Sequence, residues 1–167
     1  QSLPALPGEA PSPEMIARGA YLVCGPHSAE LEPESTPESQ PEPHRPQLTL
    51  IASGSEVSLC VEVAKLLEGE SVPTRVVSMP SMDLFEQQSA TYQSETLGGD
   101  LPKVAVEAGV RFGWDRWIGH DGGFVGMSSF GASAPYQDLY QHFGITAEVT
   151  AVYPGPVITR FEIQPAA

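Results

Sequence analysis

Residues 48–59 read LTLIASGSEVSL, and the way this stretch breaks decides the fold. Leu48 to Ala52 is an apolar, β-prone run. After Ser53 and Gly54 the apolar positions Val57, Leu59, Cys60, Val63, Ala64, Leu66 and Leu67 recur at helical spacing. A strand that ends in small residues and feeds a helix is the building unit of an α/β sheet. The turn between them is where such folds hold anions, because the first amides of a helix lack partners and point out of its N-terminus. Ser53, Gly54 and Ser55 therefore form a candidate anion site. Against it, the turn lacks the repeated glycines that wrap a pyrophosphate, and no Gly-Lys-Ser/Thr follows to grip a triphosphate. The alternative is a tight turn in which Gly54 takes a positive φ or packs closely, Ser53 or Ser55 caps the helix, and Glu56 sits at its positive end.

The same alternation continues outward. Ser12-Pro13-Glu14 can cap a short helix through Arg18, and residues 19–24 read as a short strand. Residues 74–79 form a strand stopped by Pro80, after which Ser81 or Asp83 caps a helix beginning near Leu84. Residues 103–107 and 123–127 are further strands, and a last helix over 135–143 has Ser133 as its cap, proline at its start and Gly144 at its end. Strands alternating with helices predict a mainly parallel sheet with helices on both faces, joined by right-handed crossovers. Residues 1–18 read as a linker followed by that short helix. Residues 29–46, AELEPESTPESQPEPHRP, can neither bury apolar area nor sustain a helix and read as a solvated, disordered insert.

A chain of 167 residues supports one ordinary domain with a hydrophobic core. Twenty-one acidic residues against eight basic ones give a net charge of −13, with no basic cluster, which argues against nucleic acid or an anionic membrane as partner. No segment approaches the length of a membrane span, and the N-terminus lacks a signal-peptide layout, so a cytoplasmic protein is expected. Cys24 and Cys60 lie in or near apolar segments without metal-ligand spacing and read as buried free thiols.

The runs IASGSEVSL, TRVVSMPSMDLFEQQSATYQ, KVAVEAGVRFGWDRWIGHDGGFVGM and FGASAPYQDLYQHFGIT closely resemble the C-terminal domain of transketolases, in order and over residues 19–149 apart from the insert. The resemblance implies a three-layer α/β domain, residues 19–150, with a mostly parallel five-stranded sheet. It also implies a complete enzyme that moves a two-carbon ketol unit between sugar phosphates, as a homodimer using thiamine diphosphate and Mg²⁺. In that family the cofactor is held by the first two domains and the third contributes no catalytic group. This segment is accordingly expected to hold no cofactor and no metal, and to contact the remaining domains and a second subunit.

The residues agree with a non-catalytic piece. Asp121-Gly122-Gly123 has the residue types of a metal-diphosphate motif in the wrong order and reads as backbone geometry in a turn. His27, His44, His120 and His142 show no metal spacing, and His142 suits the negative end of its helix. Aromatic residues gather from Phe112 to Tyr140. Of these Trp114, Trp117, Phe130 and Tyr136, with Ser133, are the candidate interface, core packing being the alternative for half of the aromatics. Residues 151–167 form an atypical tail: where the family continues into a helix, the chain runs VYPGPVITRFEIQPAA, similar to a short stretch of FtsK-type DNA translocases. Two other functions stay open at this level: a free-standing protein-interaction module, and the equivalent domain of a ketoacid dehydrogenase E1 component.

Overall fold

In a computed structural model, residue 6 and residues 10–25 and 45–152 are described. The expected insert lies outside the described residues apart from Arg45 and Pro46, as do His27, His44 and the tail beyond Val152.

Among the described residues five strands make one sheet: β1 (Tyr21–Cys24), β2 (Leu48–Ala52), β3 (Thr74–Ser78), β4 (Lys103–Val106) and β5 (Gly123–Val125), in the order β1-β3-β2-β4-β5. β3, β2, β4 and β5 run parallel, and β1 closes the edge antiparallel to β3. The expected three-layer, mostly parallel α/β sheet is therefore present. Its centre is the opening stretch. All five residues of β2 are fully buried, which is what a strand covered on both faces by crossover helices requires.

Alternation along the strands divides two cores. Leu48, Leu50, Val76, Val104 and Val106 face one side, against α2 (Glu56–Gly69), where Val57, Cys60, Val63 and Leu67 supply the apolar stripe. α6 (Tyr136–Phe143) and α7 (Ala147–Val152) lie on that side through Phe143 and Ala151. Ile51, Val77 and Ala105 face the other side, against α3 (Met82–Glu86), α4 (Ala90–Leu97) and α5 (Asp115–Ile118). The one polar residue of β2 is satisfied, since Thr49 Oγ1 donates to Leu97 O at 3.0 Å. Arg75 of β3 is 2% exposed and donates through Nη2 to Glu95 O and Thr96 O. A cation at the carbonyl end of α4 offsets its dipole.

Caps explain most helix starts. Ser12 Oγ accepts from Met15 N ahead of α1 (Pro13–Ala17), and Ser81 Oγ accepts from Leu84 N ahead of α3. Two expectations are corrected. Ser133 does not cap α6; Pro135 occupies that position, and the helix begins without a side-chain cap. Ser55 precedes α2 with helical dihedrals of −67° and −29°, so its hydroxyl does not reach the orphan amides of the first turn, and Ser53 is bonded elsewhere. Gly144 closes α6 as expected.

Candidate functional site

The chain leaves β2 toward β3 on one side, and the next crossover returns to β4 on the other. The carboxyl ends of β2 and β4 thus flank the point where the connections diverge, the usual crevice for ligands in an open α/β sheet. Ser53 follows β2 and Glu107 follows β4 there. Gly54 holds φ at +53°, which an L side chain rarely adopts, so it turns the chain into α2. A Cβ on it would meet only Glu56 Oε2, 3.9 Å away, so Gly54 serves conformation and not close packing.

Carboxylates dominate the crevice. Ser53 Oγ donates to Glu107 Oε2 at 2.7 Å. Ser55 Oγ lies 3.2 Å from Glu56 Oε1 and 3.0 Å from the Tyr140 hydroxyl, which itself donates to Glu56 Oε1. Glu56 is 4% exposed, and its charge is held by these hydroxyls at the positive end of α2. Both serine hydroxyls of the expected anion site are therefore turned toward carboxylates, and two negative groups stand where an anion would approach. Among the described residues no group of three or more His, Cys, Asp or Glu side chains is placed to hold a metal ion.

Burial raises Glu107 above the ordinary carboxylate range; the Ser53 hydrogen bond lowers it, and the Glu56 charge raises it further. Burial, then the hydrogen bond to Glu56, pushes the Tyr140 phenol up to about 12. Because Glu107 is raised in the fold, its contribution to stability is complete below the unfolded value, about 4.3, and is lost as pH rises through the folded value. Glu107→Gln stays neutral at every pH and keeps an acceptor for Ser53. It is expected to be more stable than the native chain at pH 7, by less than about 1 kcal/mol for this partly exposed group, with the gap closing toward pH 4. A gap in denaturation midpoints that does not change with pH would contradict this.

Neither Glu107 nor Tyr140 was linked to this turn from the sequence. The available signal was a glutamate directly after an apolar central strand; Tyr140, which bonds Glu56 and Ser55, lies in α6, beyond β5.

The expected interface separates into two groups. Trp114 and Trp117 are 3% and 6% exposed and pack in the second core, with the Trp117 ring 5.0 Å from that of Phe85. Their assignment to a surface is corrected: α5 is a single turn flanked by glycines, and it folds both indoles under the sheet. Phe130 is 98% exposed, Tyr136 42%, and Ser133 is exposed too. Phe112 is 92% exposed as well. α6 carries an apolar stripe yet buries no residue. Beside it runs a groove of 510 Å³ lined by Gly109, Val110, Met127, Phe130, Tyr140 and Phe143, among others. His120 lies in a turn and His142 in the last turn of α6, both exposed. Gly122 does not need a positive φ; a Cβ there would stand 2.3 Å from Ile118 O, so the Asp-Gly-Gly step is a close backbone approach. Cys60 is buried and Cys24 half-buried, both free, and burial pushes both thiols up.

Residues 37–146 match the transketolase-like TK C-terminal domain, and residues 132–167 match the FtsK alpha domain. Residues 153–167 of the second match lie outside the described residues. The transketolase of Cereibacter sphaeroides is 43% identical over 148 residues, covering 89% of this chain and 20% of its own. That of Sinorhizobium medicae is 53% identical over 102 residues, covering 60% and 14%. Among solved structures, transketolase from Leishmania mexicana superposes with a TM-score of 0.72 at 40% identity, over 92% of this chain and 20% of its own. The chain thus spans about a fifth of the length of the transketolases that it resembles over most of its own length. With the sheet order, the two cores and the family match in agreement, the chain belongs to the family of transketolase-like C-terminal domains.

Proposed function

We propose that the chain is the C-terminal, non-catalytic domain of a complete transketolase. That enzyme is a cytoplasmic homodimer that uses thiamine diphosphate and Mg²⁺, both held by its other domains, to transfer a two-carbon ketol unit between sugar phosphates of the pentose phosphate pathway. Residues 1–18 join the domain to the rest, residues 19–150 form it, and residues 151–167 extend it. The domain's part is to seat against the remaining domains and the second subunit.

One observation carries this reading: an amphipathic helix with no buried residue stands beside a phenylalanine that is 98% exposed. Exposed aromatics clustered on an apolar groove mark an interface. Both cysteines are unpaired, as suits a reducing compartment, and among the described residues no helix is long and apolar enough to cross a membrane. A net charge of −13 disfavours DNA as partner. The relatives are transketolases, so a ketoacid dehydrogenase component or a free-standing module is not favoured. Hydrogen exchange tests the reading. In the complete enzyme, amides of residues 127–143 should exchange at least about tenfold more slowly than in the isolated chain, because docking must be undone first. Equal rates would count against it.

A further inference from the structure

The groove beside α6 and the two carboxylates share a wall. Tyr140 lines the groove while its hydroxyl donates to Glu56. Gly109 also lines it, and Glu107 lies against Gly109, with Cγ 3.3 Å and Oε1 3.9 Å from where a Cβ on that glycine would stand. The groove's own lining is therefore uncharged, with Glu56 behind Tyr140 and Glu107 beside Gly109. Among the described residues neither carboxylate forms a salt bridge; the ion pairs found join Arg111 to Asp115 and Arg116 to Glu86. Carboxylates set against apolar walls without a cation cost stability, and a cation arriving in a complex offsets that cost. A second copy of the same face would bring its own Glu56 and Glu107 from a chain of net charge −13, placing like charges together. The chain's own residues 153–167 hold one cation, Arg160, cancelled by Glu162.

We propose that the groove receives an apolar side chain from the preceding part of the same enzyme, and that a lysine or arginine next to that side chain in sequence pairs with Glu107. This rests on the reading of the chain as a C-terminal domain and names the chemistry of what docks on it. Phe130, at the mouth of the groove, reports the contact, and Glu107 supplies its charge.

The test places p-benzoylphenylalanine at position 130 of the complete enzyme, irradiates it, and identifies the captured peptide by mass spectrometry, with and without Glu107→Gln. The expected result is one peptide from the preceding polypeptide in which the captured apolar residue neighbours a lysine or arginine. Glu107→Gln should lower its yield about threefold or more, since the docked cation then loses its charge partner. Glutamine keeps the fold intact, so a lower yield reports lost charge. Capture of a peptide without a cation, of residues 153–167, or of position 130's own face in a second copy overturns the proposal while leaving a docking role intact. An unchanged yield with Glu107→Gln overturns it as well. Capture of nothing overturns it together with the proposed function.

Discussion

Trp117→Ala is expected to lower the unfolding free energy by about 3–5 kcal/mol, whereas Phe130→Ala changes it by no more than about 0.5 kcal/mol. The two residues stand in the same aromatic-rich half of the sequence, but they meet opposite surroundings. Trp117 is 6% exposed, tilted against Phe85 at 5.0 Å, and Phe85 is itself fully buried with Tyr92 on another edge at 6.1 Å. Removing the indole leaves a void bounded by a ring and by the central sheet. β2 and β3 are fixed on both sides and cannot collapse into it, so the loss includes both transfer and cavity terms. The Arg116 guanidinium, 5.2 Å from the indole centroid, also loses its stacking partner. Phe130 has almost no native contact to lose. Urea denaturation followed by far-ultraviolet circular dichroism distinguishes the two, and comparable losses would contradict the separation of core from docking face.

Much of the fold was legible because its signals are local. A short, mostly apolar run such as Leu48 to Ala52, ended by small residues, reads as a strand buried on both faces, and a 3.6-residue repeat after that turn reads as its crossover helix. Ser12 and Ser81 capped the helices expected of them, since the serine hydroxyl, the following turn and the amide it accepts from are all within four residues. α4 was missed: ATYQSETL has no apolar stripe, and tertiary contacts through Tyr92 and Leu97 hold it in place. The fate of the tryptophans was not legible either, because glycine-rich loops let an indole turn inward or outward with equal ease. The turn at Ser53-Gly54-Ser55 was readable as geometry but not as chemistry. Its charge environment is set by Glu107 and Tyr140, which no spacing rule links to it.

The second large effect concerns docking. Phe112 and Phe130 are 92% and 98% exposed, so Phe112→Ala with Phe130→Ala leaves the domain's own fold unchanged and removes two exposed aromatic rings available for docking. Buried aromatic anchors contribute about 1–3 kcal/mol each, and their combined loss should weaken assembly by about 100-fold or more. Ketol-transfer activity should fall only as far as assembly falls, because neither ring belongs to the catalytic machinery. Hydrogen exchange over residues 127–143 of the complete enzyme, double variant against native, tests the central claim most directly. The account predicts that the protection these amides gain from docking is lost, with exchange returning to the rates of the isolated chain and an unchanged unfolding midpoint for this domain; unchanged protection would contradict it.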